Sequence, residues 1–162
     1  MIDIGKVSVF ILDDHQMLID GIKALLAHSK KYEVIGEETE GHKALQKIQE
    51  LKPKLVITDI NMPNMSGVEF TKLLRTINSE IKICALSMHS EKAIIAQIML
   101  SGANGYVLKN TGKQELLDAL DKIMDGQYFI SNNISIDILI GEKLSQPTSV
   151  DATPIKLTYR ES

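Results

Sequence analysis

Leu55-Val56-Ile57-Thr58-Asp59-Ile60-Asn61-Met62-Pro63 begins as an apolar, β-branched run of strand length and ends on a carboxylate. Residues of that type in a short run fit a buried strand. The Asn, Pro, Ser and Gly residues between Asn61 and Gly67 then force a loop. A charge at the end of a buried strand costs free energy unless something uses it. Asp59 is therefore the candidate reactive group, and the other polar residues at strand ends are read around it.

Upstream, Lys6 to Leu12 is a strand that stops at Asp13-Asp14, and Leu18, Ile22, Leu25 and Leu26 recur at helical spacing across 16–28. Tyr32 to Gly36 reads as a second strand. Residues 42–51 read as a helix with Ala44, Leu45, Ile48 and Leu51 on one face, stopped by Lys52-Pro53. Downstream, Ser66-Gly67 opens a helix that carries Phe70, Leu73, Leu74 and Ile77 toward a core. Ile81 to Leu86 is a strand ending at Ser87, and the next helix bears Ile94, Ile95, Ile98 and Met99 before a C-cap at Gly102. Gly105 to Leu108 is a strand ending at Lys109. The last helix of the series turns Leu116, Leu117, Leu120, Ile123 and Met124 inward and ends at Gly126.

Five strand–helix alternations with near-continuously apolar strands call for a parallel sheet covered on both faces. Right-handed crossovers make a doubly wound α/β sandwich the economical topology. After Gly126 the pattern changes. Ser131 is a candidate cap for a short helix to about Leu144, and Ser145 to Lys156 has the composition of a linker.

The chain has 162 residues, 44% of them hydrophobic and 24% charged, the balance of a soluble globular protein. A net charge of −3 gives no overall pull toward nucleic acid or an anionic membrane. No apolar run approaches the ~20 residues that span a bilayer, and the N-terminus lacks a signal-peptide layout. One cysteine, Cys84, excludes an internal disulfide framework and reads as a small buried hydrophobe. The compartment expected is the cytoplasm.

Ligands of open parallel sheets bind beyond the carboxyl ends of the strands. Those ends carry Asp13, Asp14, Asp59, Ser87 and Lys109. Two carboxylates ~4 Å apart repel by about 4 kcal/mol at an effective dielectric of ~20. Three acids with one lysine are short of positive charge, and an oxygen-rich, partly hydrated site of this kind suits Mg²⁺. With the ion and Lys109 holding phosphoryl oxygens, Asp59 is placed to attack in line, and aspartate is a known covalent carrier of phosphate.

These residues also carry a resemblance. Ile11-Leu12-Asp13-Asp14-His15, Ile57-Thr58-Asp59-Ile60-Asn61-Met62-Pro63, Leu86-Ser87-Met88-His89 and Gly102-Ala103-Asn104-Gly105-Tyr106-Val107-Leu108-Lys109 resemble the motifs of response regulator receiver domains of the NarL/LuxR (FixJ) type. The likeness runs from residue 6 to about 126. It implies a flavodoxin-like (βα)5 fold, with five strands in the order 2-1-3-4-5. It implies Asp59 as phosphoacceptor, Asp14 as a direct Mg²⁺ ligand and Asp13 acting through water. Asn61 would give its backbone carbonyl to the metal, for which Mn²⁺ can substitute. Lys109 would hold the phosphoryl oxygens, Ser87 would move to bond them, and the Tyr106 rotamer would follow.

The implied partners are a sensor histidine kinase as phosphodonor and, on phosphorylation, a second copy of the chain. DNA is implied only through a C-terminal domain, and no membrane is. The implied layout is a receiver at 1–128, a short helix and linker at 129–156, and at 157–162 the start of a LuxR-type helix-turn-helix domain absent from these residues. The chain departs from the common pattern in Asn110, where most receivers have a cis proline, and in Met88, larger than the usual small residue. His15 and His89 lie on the same rim and are assigned no role.

Three other readings stand beside this one. A phosphatase with an aspartyl nucleophile would want an acid where Asn61 stands. A flavin-binding domain would want a phosphate loop after the first strand. A receiver that only binds proteins would not need the full acid set.

Overall fold

The computed structural model describes residues 5–131. Their strands are β1 (Val7–Leu12), β2 (Tyr32–Glu38), β3 (Leu55–Asp59), β4 (Lys82–Ser87), β5 (Gly105–Leu108) and β6 (Phe129–Ile130). The helices between them are α1 (Gln16–Ala27), α2 (Gly41–Leu51), α3 (Gly67–Ile77), α4 (Lys92–Leu100) and α5 (Lys113–Met124). All strand pairs are parallel, in the order β2-β1-β3-β4-β5-β6.

The α/β class and the order 2-1-3-4-5 therefore hold, but the strand count is six rather than five. After α5 the chain turns at Gly126 (φ 92°) and runs back beside β5. There Phe129 N–H donates to the Asn104 carbonyl at 3.1 Å, and Ser131 N–H to the Tyr106 carbonyl at 3.0 Å. Two residues are too few to show a period, so β6 leaves no pattern in the sequence. Its effect is to pair an edge of β5 that would otherwise stay open. Ser131 is buried, and its hydroxyl accepts from Leu108 N–H at 2.9 Å, so its observed partner is β5. The short helix expected beyond it lies outside the described residues.

Alternation along the strands sorts the core. Val9, Ile11, Leu55, Ile57, Cys84, Leu86 and Val107 form one cluster with Ile19, Ile22 and Leu26 of α1 and Leu116, Leu120 and Ile123 of α5. The alternate residues Phe10, Leu12, Val56, Ile83, Ala85 and Tyr106 are equally buried and belong to the opposite face, which α2, α3 and α4 cover.

The inward stripe of α3 is narrower than its spacing predicts. Phe70, Thr71 and Leu74 are buried, whereas Leu73 and Ile77 are exposed, as is Leu51 at the end of α2. A helix on a sheet buries about a third of its circumference, and apolar residues at the margin of that stripe stay in solvent.

Helix ends follow local chemistry. The Ser66 hydroxyl caps α3 by accepting from Glu69 N–H at 3.1 Å. Lys52, at φ 52°, ends α2 in the left-handed region just before Pro53. Gly67 is required by close approach: a Cβ there would lie 2.6 Å from Ile60 Cα and 2.8 Å from the Asp59 carbonyl. That contact seats the start of α3 directly under the end of β3.

Candidate functional site

β1 and β3 are neighbours, so their carboxyl ends bring Asp13, Asp14 and Asp59 together. Asp13 and Asp59 are only 1% and 2% exposed, while Asp14 is partly open to solvent. Lys109 reaches in from the end of β5. Its Nζ lies 2.9 Å from Asp59 Oδ1 and 3.3 Å from Asp13 Oδ2. Asn61 N–H donates to the same Asp59 Oδ1 at 3.3 Å, which keeps the loop after β3 folded over the carboxylate.

One amine does not satisfy three acids. Asp59 Oδ2, Asp13 Oδ2 and Asp14 Oδ1 are buried without a hydrogen bond. Asp13 Oδ2 has only the ion-pair distance to Lys109, and Asp14 Oδ1 a similar 3.1 Å to His15 Nδ1. Burial is the largest influence on Asp59 and raises its pKa. Lys109 opposes that rise, the Asp13 charge adds to it, and the net direction is upward. For Lys109, burial works against the ammonium, but the Asp59 and Asp13 carboxylates outweigh it and hold its pKa above the ordinary value.

One oxygen from each acid and a nitrogen of His15 lie within 4.8 Å of one another. Buried, unpartnered carboxylate oxygens are costly on their own, and a divalent cation is the ligand whose charge and oxygen preference answer them. The residues present therefore fit a metal of the Mg²⁺ class.

Ser87 and Tyr106 sit one layer away. Both are fully buried. Ser87 Oγ accepts from His89 N–H at 3.0 Å, and the Tyr106 hydroxyl donates to the His89 carbonyl at 2.6 Å. The loop after β4 is thus tied to both residues through the backbone of one residue, His89. Burial pushes the Tyr106 phenol upward, with Ser87 opposing. Met88 points mainly into solvent.

Sequence reasoning left out His15 and His89. His15 Nδ1 stands 3.2 Å from Asp13 Oδ1 and 3.1 Å from Asp14 Oδ1, and its own N–H donates to Asp13 Oδ1 at 2.9 Å. Its position directly after the acid pair was the only available signal. His89 acts through its backbone, for which side-chain identity gives no sign.

A doubly wound parallel sheet with an acid cluster and lysine at its carboxyl edge defines a class of α/β domain. Within that class the match is specific. The response regulator receiver domain family matches residues 9–121, and the chain belongs to it.

The transcriptional regulatory protein DegU of Brevibacillus brevis is 29% identical over 83% of this chain and 57% of its own length. The response regulator GacA of Pseudomonas protegens is 32% identical over 88% and 66%. The chain thus spans roughly three-fifths of the curated relatives it matches. A LuxR-family two-component response regulator from Aurantimonas sp. SI85-9A1 superposes with a TM-score of 0.79 at 26% identity, covering 85% of this chain and 98% of that one. The NarL receiver domain from Mycobacterium tuberculosis gives 0.72 at 30%, covering 75% and 98%. The chain is similar to receivers of two-component response regulators of the LuxR/NarL family, whose members regulate transcription.

Proposed function

We propose that Asp59 accepts a phosphoryl group from a sensor histidine kinase and that this covalent change switches the domain. The observation that carries the proposal is the Asp59 carboxylate itself. It is buried, with one oxygen held by Lys109 at 2.9 Å and the other left without a hydrogen bond beside two more acids. The free oxygen attacks phosphorus, an oxygen–phosphorus bond forms, and the phosphorus–nitrogen bond of the donor phosphohistidine breaks with its electron pair leaving on the imidazole. A carboxylate is already deprotonated near neutral pH, so no base is needed.

Asp14, Asp59 and the Asn61 backbone carbonyl would hold Mg²⁺, or Mn²⁺ in its place, with Asp13 acting through water. The bound ion supplies positive charge for the phosphoryl oxygens. Lys109 holds another of those oxygens. The Ser87 hydroxyl then leaves His89 N–H for the phosphoryl group, the loop after β4 moves with it, and the ring of Tyr106 is fixed inward. This biases a two-state equilibrium that exists before phosphorylation.

The relatives named as transcriptional regulators support an output role on DNA, exerted through a helix-turn-helix domain that Leu157-Thr158-Tyr159-Arg160-Glu161 would begin. In this layout the receiver spans 1–128, residues 129–156 connect it to the output domain, and phosphorylation favours a homodimer. No described helix is long and apolar enough to cross a membrane, and the proposed place of action is the cytoplasm.

Incubation with a small-molecule phosphodonor and Mg²⁺, followed by intact mass, tests the reading. One phosphoryl adduct is expected, dependent on the ion and absent in Asp59→Asn. An adduct that forms equally in chelator, or that survives Asp59→Asn, overturns it.

A further inference from the structure

We infer that His15 supplies a nitrogen donor to the metal pocket, so that the site prefers a borderline transition ion such as Mn²⁺ over Mg²⁺. The inference rests on the proposed metal-binding reading and adds a ligand to it. His15 is 68% exposed. Its ring is turned inward by a hydrogen bond of 3.2 Å between Nδ1 and Asp13 Oδ1, and the same nitrogen lies 3.1 Å from Asp14 Oδ1. Neighbouring donors around an octahedral ion with bonds of about 2.1 Å stand about 3 Å apart. The imidazole and the Asp14 carboxylate, the direct ligand of the acid pair, already have that spacing.

The residue is anchored by its backbone: its N–H donates to Asp13 Oδ1 at 2.9 Å, so the ring leaves the chain at the lip of the pocket. A second observation points to a cation. Asp59, 2% exposed, keeps Oδ2 without a hydrogen bond, and it shares the cluster that places all four residues' donor atoms within 4.8 Å.

The chemistry follows from the donor type. Mg²⁺ takes oxygen ligands and retains water, gaining little from imidazole. Imidazole suits ions further along the Irving–Williams series, and Mn²⁺ already accepts it alongside carboxylates. A pocket with three carboxylates alone would rank the two ions by charge and size. With His15 added, Mn²⁺ gains a bond that Mg²⁺ does not.

The test titrates the chain with Mg²⁺ and with Mn²⁺ by calorimetry. It is repeated on His15→Ala and His15→Gln. Electron spin-echo modulation of bound Mn²⁺ reads out directly bonded ¹⁴N. The parent should show an imidazole ¹⁴N signal that both variants lose. Mn²⁺ affinity should fall on the order of tenfold in the variants, with Mg²⁺ affinity nearly unchanged. A parent without the nitrogen signal overturns the inference, and so does an equal loss of both ions in the variants, which would mean that His15 only shapes the loop. Either result leaves the proposed function standing if the parent still binds Mg²⁺. Failure of the parent to bind either ion overturns both readings.

Discussion

At the scale of single residues, Asp59 is held in the fold at a cost that its function requires. Burial and the Asp13 charge raise its pKa despite Lys109. A raised acid contributes stability that is fully present below the unfolded carboxylate value of about 3.9 and is lost as pH rises through the folded value. In chelator at neutral pH, Asp59→Asn should therefore be more stable than the parent. Urea titrations at neutral and acid pH measure this, and the gap should shrink in acid. A parent more stable than Asp59→Asn at neutral pH would show that Lys109 outweighs burial. Ser87 has a different role. Ser87→Ala should accept phosphate yet retain the unphosphorylated amide spectrum by NMR, because the hydroxyl that would leave His89 N–H is gone. Full conversion in that variant would place the switch elsewhere.

At the scale of elements, the largest polar investment outside the site is Arg75 on α3. Its guanidinium donates to Gly102 O at 2.7 and 3.0 Å, to Ile81 O at 2.6 Å and to Asn104 Oδ1 at 2.9 Å. Asn104 Oδ1 also accepts from Ile83 N–H at 2.8 Å. One cation thus ties α3 to the start of β4 and to the turn between α4 and β5, with Gly102 at φ 122° leaving room for its stem. Arg75→Ala strips charge-assisted bonds from part-buried carbonyls and should cost about 2–4 kcal/mol in urea denaturation. A loss below about 0.5 kcal/mol would mean that solvent replaces the knot.

None of this knot was legible in the sequence, because an arginine that binds carbonyls leaves no charge partner to notice. The central strands β1, β3, β4 and β5 were legible, since each is a mostly apolar run, and so were Asp13, Asp14, Asp59, Ser87 and Lys109 at their ends. Strand ends are fixed by topology, and topology follows from the alternation of elements. The two residues of β6 and the outward turn of Leu73 and Ile77 depend on long-range packing, which periodicity does not encode.

At the scale of the whole molecule, Cys84 reports on the core. It lies at 0% exposure within the cluster beneath α1 and α5, and burial pushes its thiol pKa up to about 12. A thiol so placed stays protonated and inaccessible, so its labelling should follow global unfolding, with a urea dependence equal to that of the equilibrium transition. Rapid labelling without denaturant would indicate that α5 opens on its own. Above this core, the acid cluster depends on all the central strands keeping register, since β1, β3 and β5 each deliver one part of it. The central claim is that the assembled edge directs phosphorus to one atom group, the Asp59 carboxylate. The most direct measurement is borohydride reduction of the phosphorylated chain followed by tandem mass spectrometry, which converts an aspartyl phosphate into homoserine where it stands. The account expects homoserine at position 59 and nowhere else; homoserine at 13 or 14, or phosphate retained on a serine, threonine or histidine, would contradict it.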